Sequence, residues 1–160
     1  MICKDFNFFP TTGRLAGIDW GEKRVGVAVS DPGRGFVFAR PRITAAAGAA
    51  KRIADFAKSE NIAGIVVGLP LRLDGTESET TARVRAFAEE LAKETDIPVI
   101  LFDEGLTSFE AAERGAENLD SEAARILLEN AVGFMARNSA GKANPKTVNK
   151  LLAKKLKGEK

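Results

Sequence analysis

Asp19, the pair Asp103-Glu104, and Asp120 stand where the surrounding pattern does not ask for an acid, and they are the first candidates for chemistry. Asp19 interrupts an alternating strand in which Leu15 and Gly17 share its face while Ala16, Ile18 and Trp20 take the other. An ionised carboxylate there is costly unless a cation or several donors satisfy it. Asp103 and Glu104 close a short apolar strand. Alternation sends the two to opposite faces and leaves the choice between them open. Asp120 opens a helix on the stripe of Ala124, Leu127, Leu128 and Ala131, the face that must pack on a sheet. Taken alone it reads equally as a helix cap. Gathered carboxylates repel and raise one another's pKa unless a cation joins them. Two divalent ions about 3.5–4 Å apart would do so, one activating water and the other stabilising the leaving oxygen of a phosphodiester.

Composition narrows the chemistry further. The 160 residues contain no His, no Tyr and a single Cys, Cys3. That excludes Ser-His-Asp and Cys-His mechanisms, His-ligated metals, Cys-rich zinc sites and internal disulfides. What remains is carboxylates, Lys and Arg, hydroxyls and backbone, and oxygen ligands suit Mg²⁺ or Mn²⁺. Hydrophobic residues at 44% and charged residues at 29% describe an ordinary soluble domain. The net charge of +2 is too small to name a partner, but from Lys142 onward seven lysines face one acid, Glu159. Neither a membrane-length apolar run nor a signal-peptide core is found, so a cytoplasmic protein is expected.

The elements that must position these acids follow in order. Residues 1–13 read as an extension whose Phe6, Phe8 and Phe9 dock on the body or stay loose. Gly21-Glu22-Lys23 turns the first strand into a second, Val25 to Ser30, with Gly17 and Gly26 leaving bare backbone near Asp19. Lys23 and Arg24 beside the turn read as turn surface or as phosphate contacts, and Arg72 is a further candidate contact. Phe36–Arg40 with Pro41 reads as a third antiparallel strand. Ala49, Ala50, Ile53, Phe56 and Ala57 then form a helical stripe, and 62–69 a strand covered on both faces. Thr76 with Glu79 has a capping-box pattern, opening a helix with Thr80, Val84, Phe87, Ala88 and Leu91 on one side. A strand over 98–102 follows. Thr107 with Glu110 starts a short helix, and a long one runs from near Asp120 to about Arg137. This βββαβαβα order predicts an α/β fold, a mixed sheet with helices on both faces. Three regions result: an extension (1–13), a catalytic domain (14–137) and a lysine-rich tail (138–160) that is amphipathic if helical.

Four ordered stretches resemble the YqgF/RuvX family. They are GIDWGEKRVGVAVSD from Gly17, VVGLPL from Val66 with DGTE from Asp74, DEGLTSFEA from Asp103, and DSEAARILL from Asp120. The resemblance covers about Arg14 to Arg137. It implies a ribonuclease H-like fold with a five-stranded mixed sheet, the first three strands antiparallel. It also implies an acidic centre at Asp19, Glu104 and Asp120 that binds Mg²⁺ or Mn²⁺, and so selects Glu104 over Asp103. The implied function is a nuclease maturing the 5′ end of pre-16S rRNA, or alternatively a Holliday junction resolvase acting on branched DNA. Gly105 stands where the family usually has Arg, and ERGAENL, Glu113 to Leu119, lacks the basic residues often seen before the last motif. Both departures weaken substrate grip more than metal binding, and they raise a third reading, a non-catalytic RNA-binding assembly factor. A fourth, a phosphate-binding ATPase module of the actin and sugar-kinase type, would need a second phosphate loop that this chain lacks. No dimerisation seam is apparent, and a monomer or weak homodimer is expected.

Overall fold

The computed structural model describes residues 1–44, 47–72, 74–103 and 119–142, with the backbone alone for 119, 120 and 139–142. The order is β1 (Ile2–Cys3), β2 (Arg14–Trp20), β3 (Arg24–Ser30), β4 (Val37–Thr44), α1 (Ala49–Ser59), β5 (Ile62–Leu69), α2 (Glu79–Glu94), β6 (Val99–Asp103) and α3 (Leu119–Lys142). These strands form one mixed sheet in the order β1-β6-β5-β2-β3-β4. β2, β3 and β4 are antiparallel neighbours, while β5 runs parallel to β2 and β6 parallel to β5.

Two cores cover the two faces. On one, α1 and α2 bury Ile53, Ala57, Val84, Phe87 and Leu91 against Ala16, Ile18, Val25, Val27, Ile65 and Val67. On the other, Ala124, Leu127, Leu128 and Ala131 of α3 pack on Leu15, Ala28, Val66 and Ile100. Both sets follow the periodicities of the sequence, two for the strands and 3.6 for the helices. β5 is apolar throughout because it is covered on both faces.

The five expected strands are present, and the N-terminal segment adds a sixth. β1 pairs with β6 in parallel, and the Val99 amide donates to the Met1 carbonyl at 2.9 Å. Phe9 is 3% exposed, its ring pressed on the bare backbone of Gly64, where an added Cβ would meet ring carbons at 2.5–3.0 Å. Phe6 joins Phe9, Phe102 and Phe134 in edge-on and tilted contacts at 5.4–5.8 Å. Arg34 closes the segment by donating to the carbonyls of Gly13 (2.8 Å) and Pro10 (3.0 Å).

Other boundaries move for local reasons. β4 continues through Pro41 to Thr44; it is an edge strand, where a missing N–H breaks no ladder. The cap of α2 is Ser78 rather than Thr76, and its reciprocal partner is Thr81 rather than Glu79. Thr81, not Thr80, is the buried threonine of that helix, because its hydroxyl also donates to the Pro70 carbonyl. Thr76 instead closes the preceding loop on Asp74. α3 continues past Arg137 to Lys142. Thr107, Glu110 and the tail beyond Lys142 lie outside the described residues.

Replacing Phe9 by Ala should remove about 3 kcal/mol of stability, read in urea as a lower midpoint at unchanged slope. An unchanged midpoint would mean that the N-terminal segment contributes nothing to the folded state.

Candidate active site

β2 delivers Asp19. Leu15, on its side of the strand, belongs to the α3-side core, and Ala16 and Ile18 belong to the other. Asp19 therefore faces α3, and it is half-buried. Its partner across β3 is Gly26. On β5 its neighbour is Gly68, one position beyond the Ile18–Val67 pair. Asp19 is thus flanked by glycine on both adjacent strands, with no side chain beside it from either. Gly68 escapes a reading of the sequence because it is recognisable as a neighbour only once β5 is registered on β2.

The same register separates Asp103 from Asp19. Gly68 pairs with Phe102, and Leu69 with Asp103. Phe102 packs with the α3-side core and Leu69 with the opposite one. Asp103 consequently lies on the face turned away from Asp19, two strands over, about 10 Å at the usual strand spacing. Glu104 lies outside the described residues.

Asp120 is the second residue of α3, inside its first turn. The turn that carries it is held at two points. The buried hydroxyl of Ser121 donates to the Arg40 carbonyl of β4 at 2.5 Å. One turn later, α3 lies directly on Gly17: a Cβ there would sit 2.8 Å from the Leu128 Cβ and 3.1 Å from the Ala124 carbonyl oxygen. Bare backbone at Gly17 therefore serves the helix, whereas Gly26 and Gly68 remain beside the acid. α3 brings the backbone of Asp120 onto the face of the sheet that carries Asp19. Among the described residues, no three His, Cys, Asp or Glu side chains converge.

The basic candidates gather at the same end of the sheet. Lys23 is exposed in the β2–β3 turn. Arg24 opens β3, also exposed, on the face of Gly26 and Ala28 and hence of Asp19. Arg72 is exposed in the loop that follows β5, closed by the Arg72 amide donating to the Thr76 carbonyl (2.9 Å) and the Gly75 amide to the Arg72 carbonyl (2.8 Å). Because β5 parallels β2, this loop leaves the sheet beside Asp19, at the carboxyl ends of the strands, where open α/β sheets hold their ligands. Arg83 of α2 bridges Glu22 of the turn and Glu79, and Trp20 meets Phe87 at 6.2 Å. Both contacts tie the turn to α2.

Residues 13–133 match the model of a family described as "RuvX: Holliday junction resolvase". The chain belongs to the RuvX family. A relative in Rhizobium meliloti (strain 1021), named "Putative pre-16S rRNA nuclease", is 37% identical over 145 residues, 82% of this chain and 87% of that one. A relative of the same name in Maridesulfovibrio salexigens is 40% identical over 129 residues, 72% and 95% of the two chains. The fold resembles that of T. thermophilus RuvC in complex with a Holliday junction substrate, with a TM-score of 0.54 at 15% identity over 78% of this chain and 96% of that one. Membership of the RuvX family makes the chain a nuclease, a hydrolase of phosphodiester bonds. No described helix is long and apolar enough to cross a membrane.

Two outcomes test this geometry. Gly17→Ala should cost about 1–3 kcal/mol, since α3 must lift from β2, and a variant as stable as the parent in urea would contradict the close approach. The Asp74 carboxyl is held below its ordinary range, first by the Thr76 hydroxyl and then by the Thr76 amide. Its contribution is therefore complete above the ordinary carboxylate pKa and lost as pH falls through the depressed value. Amide exchange at Thr76, corrected for intrinsic rate, should accelerate only as pH drops through that window, and Asp74→Asn should flatten the profile.

Proposed function

We propose that this RuvX-family chain is a divalent-metal-dependent ribonuclease that trims the 5′ end of pre-16S rRNA in the cytoplasm, as a monomer or weak homodimer. One observation carries the reading: a half-buried carboxylate, Asp19, stands between two glycines at the carboxyl edge of the parallel strands, facing the helix whose second residue is Asp120. The names of the curated relatives support pre-16S rRNA as substrate.

The donor chemistry fits Mg²⁺ or Mn²⁺. Asp19 offers hard oxygens beside bare backbone, the chain has no His, and its one thiol, Cys3, is buried. Asp19, Glu104 and Asp120 would hold the metal. Glu104 is preferred to Asp103 because the register turns Asp103 to the wrong face. Bound there, divalent ions supply an activated water and stabilise the departing oxygen. The chain's own residues do the rest. Lys23, Arg24 and Arg72 neutralise phosphates on either side of the scissile bond, a task that supplies much of nucleic-acid affinity. Ser121 and Gly17 fix the helix that brings Asp120.

Asp19→Asn should reduce cleavage of a pre-16S 5′-leader RNA in Mg²⁺ to background while leaving the melting temperature within a few degrees of the parent. A variant that cuts as fast as the parent overturns the reading. The family description and the RuvC likeness support branched DNA as the second substrate; preferential cutting of a four-way junction over the RNA would put that reading first. Binding of RNA that is equal with and without Mg²⁺, and never followed by cleavage, would establish a non-catalytic assembly factor instead.

A further inference from the structure

The edge strand β4 carries a bulge level with Asp19. Between the Val25–Ile43 and Val27–Arg40 pairs, one residue of β3, Gly26, is opposed by two of β4, Pro41 and Arg42. Gly26 is also the residue paired with Asp19 on the other side. Arg40 and Ile43 both belong to the α1 face. The Arg40 guanidinium lies over Phe56 at 5.4 Å and pairs with Glu60 at 2.8 Å, and Ile43 packs into the α1–α2 core. The two residues between them are thereby turned to the opposite face, which is that of Gly26 and Asp19. Re-aiming a side chain in this way is a characteristic use of a bulge beside a functional site.

We infer that Arg42 is a substrate-binding residue that, with Arg24, forms a two-arginine clamp for the phosphodiester backbone of the RNA at the β3–β4 side of Asp19. Arg42 is exposed. Only Gly26, with no side chain, stands between its strand and β2, a span of about 10 Å at normal strand spacing. Arg24 lies on the same face of β3, two residues from Gly26, and its partner on β4 is Thr44, two residues from Arg42. The two guanidiniums thus come from adjacent strands on one side of the acid, while Arg72 lies on the other, beyond β5. A guanidinium can grip two oxygens of one phosphate at once. Phosphates successive along a strand fit two such groups on neighbouring strands better than one. Pro41 in the same bulge withholds an N–H from the open edge, which discourages a protein strand from pairing there and favours a ligand held by side chains.

This inference rests on the reading of Asp19 as the catalytic face, and its test separates the two. In an Asp19→Asn background, which removes cleavage, binding of a synthetic RNA duplex with a single-stranded 5′ extension is followed by fluorescence anisotropy across a series of KCl concentrations. Arg42→Ala should weaken binding several-fold and lower the slope of log affinity against log salt by about one, the loss of one phosphate contact. Arg42→Lys should keep the slope, and Arg42→Gln, with its similar stem, should behave like Ala. Affinity and slope unchanged in Arg42→Ala overturn the assignment. So does unchanged binding combined with a lower kcat when Asp19 is intact, since Arg42 would then act as a counter-ion to the acids of α3 rather than on substrate. Failure of the Asp19→Asn protein itself to bind RNA removes both the clamp and the RNA reading, while tight binding to a four-way DNA junction alone removes the RNA reading and the RNA clamp with it.

Discussion

With no side chain at Gly17, α3 can lie against the backbone of β2, and the geometry of the site depends on that contact. A helix packed on a sheet is normally held off by the side chains of the strand beneath it. Here the Leu128 side chain and the Ala124 carbonyl occupy the volume a Cβ would fill. The same strand carries Asp19 two residues further on, and the same helix carries Asp120 one turn earlier. Close approach at one point therefore constrains both acids. Ser121, hydrogen-bonded to Arg40, fixes the remaining freedom by setting where the helix begins over the sheet.

The rest of the fold keeps that geometry rigid from the opposite end. β1, Phe9 on Gly64 and the Phe6–Phe102–Phe134 cluster hold β6 and the far part of α3 together. On the other face, α1 and α2 press on the central strands. α2 reaches the rim, through Arg83 to Glu22 and through Phe87 to Trp20. Lys23, Arg24 and Arg72 are exposed at the same end of the sheet, in the β2–β3 turn, at the start of β3 and in the loop after β5.

Much of this was legible in the residues. Alternation in β2 and β3 and the stripe of α3 placed Asp19 and Asp120 on the right elements, because each pattern reports a face that must be buried. The doublet Asp103-Glu104 could not be resolved from spacing alone. The register of β6 on β5, a long-range property, turns Asp103 away. The cap lies at Ser78 and not at Thr76 because several hydroxyls and acids crowd the loop from Asp74 to Thr81, and tertiary contact of Thr81 with Pro70 decides which caps. Phe9 on Gly64 and the Pro41–Arg42 bulge were invisible for the same reason. Each joins segments that only the folded sheet brings side by side.

The proposed chemistry requires Asp19, Glu104 and Asp120 to share divalent ions on one face of the sheet. Anomalous scattering from crystals soaked in Mn²⁺ tests it most directly. Manganese coordinated by oxygens of all three carboxylates is the predicted result. Manganese bound elsewhere, or any one of the three carboxyl groups found on the face of α1 and α2, would contradict the account.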